Sequence, residues 1–207
     1  IHFRGLESVK MFAGDVLLNC TALKSVDFTG LCSVTAMGRF FLKGCSSLTT
    51  VDFTGLCSMR MFGTCFLAGC TSLKEISFEG LEQVIFFDYW FLAECTALTK
   101  VDFRALTAVQ YFGYGFMIGC NLLTTLDTRG LAAVQNFGTG FLKGCTSLMT
   151  IDLSGLQKLV PCFNKFDDIL QDCVFLEEIW IASDQQGVLE MPAALAAMVK
   201  VVARRPL

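Results

Sequence analysis

Thiols and carboxylates are the side chains here that could do chemistry, and both recur at a fixed interval. Of the eleven cysteines, seven fall in one series: Cys20, Cys45, Cys70, Cys95, Cys120, Cys145 and Cys173. A zinc site of ordinary spacing needs paired Cys or His ligands, but there is no Cys-x-x-Cys and the single histidine is His2. A thiol that recurs between a Phe-Leu pair and a leucine marks a core slot, because cysteine is a small, easily buried hydrophobe. Cys32 and Cys57 share a different slot in adjacent repeats and could lie one strand spacing apart. A bond between them also needs favourable Cβ directions, so the sequence leaves it open. The number of thiols favours a reducing compartment. Asn19-Cys20-Thr21 is a glycosylation sequon, though a single one arises by chance.

The carboxylates form a column: Asp27, Asp52, Asp102, Asp127 and Asp152, interrupted by Ser77. Each lies between two inward strand residues and is expected to point outward. Neighbouring carboxylates about 4.8 Å apart repel by roughly 1 kcal/mol in a water-like dielectric. Arg104 and Arg129 follow Asp102 and Asp127 by two residues and would relieve them, while Thr29 and Thr54 follow Asp27 and Asp52. Two readings stand: a solvated face with local hydrogen bonds, or a strip that binds a cation or an arginine side chain. Calcium would require more converging oxygens than this column offers. With one histidine there is no Ser-His-Asp or Cys-His arrangement. The glycines punctuate the repeat and have no phosphate-binding spacing. The acids form a ladder and not an isolated pair in a cleft. We therefore expect no catalytic residue, no metal, no cofactor and no enzymatic activity.

The elements that hold these residues repeat every 25 positions. Compare "VDFTGLCSVTAMGRFFLKGCSSLTT" (26–50) with "VDFTGLCSMRMFGTCFLAGCTSLKE" (51–75) and "VDFRALTAVQYFGYGFMIGCNLLTT" (101–125). Units begin at Ile1, Val26, Val51, Ile76, Val101 and Leu126. A seventh, three residues longer, runs from Ile151 to Glu178, and an eighth begins at Ile179 and loses the pattern. Apolar residues occupy unit positions 1, 3, 6, 9, 12, 16, 17, 20 and 23. "V-D-F" alternates as a strand with one buried face. A second extended stretch ends in Phe-Gly, and "FLxGC" follows as a short helical or turn segment. One unit cannot bury so much apolar surface alone, but stacked units share a continuous core, so the expected fold is a solenoid of about seven units. At about 4.8 Å per strand the rod would be roughly 34 Å long.

The order "FG-x-x-F-L-x-G-C-x-x-L-x-x-V-D-F" resembles the BspA-like, Treponema-type leucine-rich repeat over residues 1 to about 181. The units here are slightly longer than that family's, phenylalanine often replaces its strand isoleucine, and "LVPCFNKFDDILQDC" departs most. The resemblance implies a non-enzymatic ligand-binding or adhesive solenoid on a cell surface or secreted. The rival reading is a structural subunit of a large assembly, which is intracellular if every cysteine is reduced.

Composition narrows the partners. Net charge is −3, from 16 basic and 19 acidic residues, so no electrostatic footprint for nucleic acid exists. No apolar run reaches the roughly 18 residues of a membrane-spanning helix, so no membrane insertion is expected. Ile1 opens directly into a strand without a leader, which leads us to expect a piece of a longer chain. We divide it into a solenoid, 1–182, and a C-terminal capping segment, 183–207. In the latter, Pro192 begins "PAALAAMVKVVARR", read as a helix with Pro in its first turn. Leu195, Met198, Val199 and Val202 would form its apolar face, with Lys200, Arg204 and Arg205 toward its C-terminal end.

One segment breaks the uniformity. "IFFDYWF" (85–91) holds five aromatic rings in seven positions. In register, Val84, Phe87, Phe91 and Leu92 take inward slots. Ile85, Phe86, Tyr89 and Trp90 take slots held elsewhere by polar or small residues, and the next unit adds Tyr111 and Tyr114. Acidic residues surround them, among them Glu82 and Asp88, and no Lys or Arg occurs from Glu75 to Thr99. A surface of this kind suits a protein partner bearing basic and apolar groups. The alternative is that a loop or a thicker core covers the rings.

Overall fold

The computed structural model describes residues 1–159, 170–186 and 193–203. Each 25-residue unit is one coil of a parallel β-solenoid with two strands per coil. In chain order the strands are β1 (Met11–Phe12), β2 (Ser25–Asp27), β3 (Ala36–Met37), β4 (Thr50–Asp52), β5 (Met61–Phe62), β6 (Glu75–Ser77), β7 (Phe86–Phe87), β8 (Lys100–Asp102), β9 (Tyr111–Phe112), β10 (Thr125–Asp127), β11 (Asn136–Phe137), β12 (Thr150–Asp152), β13 (Glu178–Ala182) and β14 (Val199–Val202). Odd-numbered strands β1 to β11 form one six-stranded sheet. The other face is built from β2–β4, β6–β8 and β10–β12–β13–β14. All pairings are parallel, and up to β12 every partner lies 25 residues away, as in Met61↔Phe86 and Thr125↔Thr150. Thr150 then pairs with Glu178, so the three extra residues of the seventh unit are absorbed before β13. The break expected at Pro161 lies outside the described residues.

In the second coil every inward slot named from the period is buried, filled by Val26, Phe28, Leu31, Val34, Met37, Phe41, Leu42, Cys45 and Leu48. Phenylalanine makes this core a set of stacks. Phe28, Phe53, Phe78 and Phe103 lie nearly parallel, as do Phe62, Phe87, Phe112 and Phe137. Phe41, Phe66, Phe91, Phe116 and Phe141 form a third column at 5.3–5.7 Å. Each such contact adds about 0.5–1.5 kcal/mol beyond area burial.

Of the two forms left open for the "FLxGC" segment, helix or turn, it takes the turn. Alternate residues adopt positive φ, as in Phe40 (59°), Leu42 (58°) and Gly44 (72°). The buried Leu42, Leu67, Leu92, Met117 and Leu142 are held in this unfavourable region because their side chains fill the core. One expectation needs correction: the C-terminal segment is not one continuous helix. Only Ala193–Ala196 is helical, and Val199–Val202 is a strand added parallel to β13. The sheet ending at β13 offers unpaired backbone groups, and the β-branched Val199, Val201 and Val202 satisfy them. Pro192, Arg204 and Arg205 lie outside the described residues.

Candidate protein-interaction surface

The cysteine column is structural. Cys45, Cys70, Cys95, Cys120 and Cys145 are buried, and Cys20 and Cys173 half-buried. From Cys45 onward each thiol donates to a carbonyl of the preceding coil at 3.2–3.4 Å, for example Cys95 Sγ to the Leu67 oxygen. Those carbonyls belong to the positive-φ Leu or Met, so the slot favours a small apolar residue that still carries a donor. Burial pushes the Cys95 and Cys145 thiols up to about 12 and that of Cys173 to about 11. The Cys32–Cys57 pair left open by the sequence is a disulfide, with Cα atoms 4.9 Å apart on the exposed side of successive coils.

The aspartate column builds turns. Oδ1 of Asp27, Asp52, Asp102, Asp127 and Asp152 accepts the backbone N–H two residues on, at 2.8–3.0 Å. Ser77 Oγ accepts the Glu79 N–H in the same way. Arg104 and Arg129 pair with Asp102 and Asp127, and His2 pairs with Asp27. These geometries belong to the solvated-face reading, with each carboxylate engaged locally. Among the described residues no three His, Cys, Asp or Glu side chains come together as a metal site.

The aromatic residues do come together on one side. Phe86 and Tyr111 are adjacent on the outer face of the six-stranded sheet, on β7 and β9. Tyr89, Trp90 and Tyr114 follow in the next turns, with Trp90 edge-on to both tyrosines at 6.4 and 5.8 Å. Ile85, Tyr89, Trp90, Tyr111 and Tyr114 are exposed, Tyr89 by 51% and Trp90 by 40%, and Phe86 is half-buried. Val84, Phe87, Phe91 and Leu92 are fully inside. No loop among the described residues covers the rings.

The Trp90 ring lies over a glycine of the following coil: a Cβ on Gly115 would lie 2.6 Å from Trp90 Cδ1. A Cβ on Gly119 would meet the Glu94 carboxyl at 2.9 Å. One on Gly113 would meet the Asp88 backbone first, at 2.7 Å, as the other Phe-Gly glycines meet the backbone of the preceding coil, and then Tyr89 Cδ1 at 2.9 Å. Trp90 and Glu94 of the fourth coil thus rest on two glycines of the fifth. Trp90 and Glu94 both have φ of 58°. In Glu94's slot, coils two, three, five and six carry Gly44, Gly69, Gly119 and Gly144.

The acidic rim differs from the expectation. Asp88 is half-buried and replaces the glycine of Phe-Gly; its carboxylate accepts from Thr64 Oγ1 and from the Tyr89 N–H, both at 2.8 Å. Its own N–H reaches the Phe62 oxygen at 3.2 Å, against 2.7–2.9 Å for Gly38, Gly63, Gly113 and Gly138. The Asp88 Cβ holds the coils apart there. Glu82 caps a turn by accepting the Gly80 N–H, as Glu7 does for Gly5. Glu94, not singled out from the sequence as a site residue, is the exposed carboxylate of this turn. Met11 and Met61 were also missed; they are exposed in the slot of Phe86 and Tyr111 and extend the apolar column along the sheet. Reading that slot down the repeats would have found them.

A family model described as BspA type leucine rich repeat region matches residues 4–124 in six copies. The chain belongs to this family. As a BspA-type repeat protein it is a module of the protein-interaction kind, and such repeats are typically non-enzymatic. Among solved structures it is similar to a leucine-rich repeat protein of T. pallidum, TpLRR, with 16% identity and a TM-score of 0.52 over 91% of this chain and 74% of that one. A leucine-rich repeat protein from Bacteroides ovatus aligns with 18% identity and a TM-score of 0.44, over 95% of this chain and 58% of that one. The first likeness concerns the fold alone. A search of curated proteins found no match. No helix among the described residues is long and apolar enough to cross a membrane.

Proposed function

We propose that this chain is an adhesive or receptor-like protein-binding solenoid whose contact surface lies on coils four and five. That surface comprises Ile85, Phe86, Tyr89, Trp90, Tyr111 and Tyr114, with Glu82 and Asp88 at its edge and Glu94 as its open charge. The observation that carries this reading is the seating of exposed Trp90 on Gly115, edge-on to exposed Tyr89 and Tyr114. Rings fixed in this way lose little entropy on contact, and fixed exposed aromatics are the residues that dominate interfaces. The partner bears basic and apolar groups, which match the acidic stretch 75–99 and the open ring faces. The Cys32–Cys57 disulfide supports an oxidising compartment, and so the surface-exposed or secreted reading over an intracellular scaffold.

The test is binding of immobilised protein to a peptide of alternating arginine and leucine, with an alternating glutamate and leucine peptide as reference. The parent should prefer the basic peptide. Trp90→Ala with Tyr114→Ala should weaken that binding by more than about 2 kcal/mol, while Thr139→Ala leaves it unchanged. Equal affinity of the double variant and the parent refutes the surface.

A further inference from the structure

We infer that the partner of this surface is a second copy of the chain, docked antiparallel about a twofold axis at the third coil; this rests on the reading of the Trp90 surface as a protein contact. The turn that follows the six-stranded sheet presents the same outward slots in every coil. Coil two fills them with Arg39, Phe40 and Lys43, coil three with Thr64, Cys65 and Ala68, and coil four with Tyr89, Trp90 and Ala93. Phe40 and Trp90 occupy the same slot with nearly the same backbone, φ 59° and 58°. Phe40 is covered within its own coil: Lys43 Nζ lies 4.8 Å and Arg39 Cζ 5.4 Å from its ring centre. The slots that supply those cations hold Tyr89 and Ala93 beside Trp90. Residues 75–99 contain Glu75, Glu79, Glu82, Asp88 and Glu94 and no Lys or Arg. The open face of Trp90 therefore has the preference that Phe40 displays and no cation of its own coil to meet it.

The basic and the acidic aromatic ridges are equidistant from coil three, each one coil away. A twofold axis through coil three, perpendicular to the rod, sets coil two of each copy against coil four of the other. Both complementary contacts are then made twice, as an isologous interface requires. Lys43 and Arg39 approach Trp90 and Glu94. At the axis coil three meets itself through Thr64, which is small and uncharged, while Cys65 and Ala68 are buried in the floor of the ridge and set no charge or bulk against the facing copy. Coil one, with Asp15 and Leu18, meets Tyr114 and Ile118 of coil five, where no like charge opposes it. A parallel arrangement would instead set Arg39 and Lys43 against their own copies. Arg39 holds Asp15 only loosely, at 3.9 Å between exposed groups, and is free to exchange that contact.

Sedimentation equilibrium of the intact oxidised chain tests this from about 10 to about 500 μM, a range that spans weak protein dimers. The parent mass should rise from 22.7 kDa to twice that value. Lys43→Glu and Glu94→Lys should each raise the dissociation constant by about tenfold or more, through like-charge contacts made twice. An equimolar mixture of the two variants should restore association, because each then faces its opposite charge; this also shows that both variants are folded. Trp90→Ala gives an independent loss. A parent that stays monomeric throughout, single reversals that associate like the parent, or a mixture that stays dissociated although both variants melt like the parent each overturns the inference. If the parent is monomeric while Trp90→Ala with Tyr114→Ala still loses the basic peptide, the second copy is refuted and the contact surface stands.

Discussion

Gly115→Ala separates the seating of Trp90 from the mere presence of its ring. Gly115 has φ of +70°, so a Cβ there costs about 1–2 kcal/mol in backbone strain. The same Cβ would fall 2.6 Å from Trp90 Cδ1 and 3.0 Å from Nε1. Those atoms end a rotatable side chain, so the indole moves and the backbone stays. The move removes the edge contact with Tyr114 at 5.8 Å, worth about 0.5–1 kcal/mol. Gly140 supplies the control. It occupies the same slot one coil later, with φ of +76°, and its Cβ would meet nothing nearer than 3.8 Å. Gly140→Ala should therefore cost only the backbone strain, about 1–2 kcal/mol, and Gly115→Ala about 0.5–1 kcal/mol more. Urea unfolding followed by circular dichroism measures both. Trp90 emission, read in a Trp180→Phe background that leaves one tryptophan, should shift in Gly115→Ala and not in Gly140→Ala. Identical emission and identical binding of the basic peptide by the two variants would refute the claim that glycine positions the ring.

Further outcomes follow from the cysteines. Reducing Cys32–Cys57, or replacing both by serine, should lower stability by about 3.5 kcal/mol on the chain-entropy model for a loop of about 25 residues; an unchanged urea midpoint in reductant would contradict the staple. The column thiols should resist a bulky thiol reagent in the native state, and Cys95→Ala should cost about 1 kcal/mol, checked by urea titration. Their folded pKa values lie above the ordinary 9.0, so the native state favours the protonated form. That contribution is full below about pH 9 and is lost as pH climbs toward 12, where Cys95 and Cys145 titrate. Cys95→Ala should flatten this alkaline loss, and a parent whose stability is constant from pH 9 to 11 would refute it.

The core was legible because its period is exposed in the chain: one coil read against the next fixes which residues face inward. Side-chain burial then needs no knowledge of backbone detail. The turns were not legible for the same reason. Leu42, Leu67, Leu92 and Leu142 sit at positive φ, where no local preference would place a leucine, and burial in the stack and hydrogen bonds to the adjacent coils hold them there. The C-terminal strand was misread because Leu195, Met198, Val199 and Val202 satisfy a helical period by chance over a short run; an open sheet edge, invisible in sequence, decided the matter. The outward rings were found by comparing slots, but their support was missed. A large residue in one unit followed by glycine in the same slot of the next is a readable signal. It appears at Trp90–Gly115 and Glu94–Gly119 between coils four and five.

Coil four is also where strain is easiest to carry. A solenoid coil contacts only its neighbours, so an end coil is held from one side and an interior coil from two. The departures of coil four each oppose stability. The Asp88 Cβ lengthens a ladder hydrogen bond, Glu94 adopts a glycine conformation, and Trp90 and Tyr89 leave apolar faces in water. Phe78, Phe87 and Phe91 are meanwhile all stacked with phenylalanines of both adjacent coils, so all three columns run unbroken beneath these departures. A core requirement cannot explain outward residues that the core does not touch. Their coincidence above this coil, with Gly115 under the Trp90 ring, is the pattern expected where local stability is given up for contact with another protein.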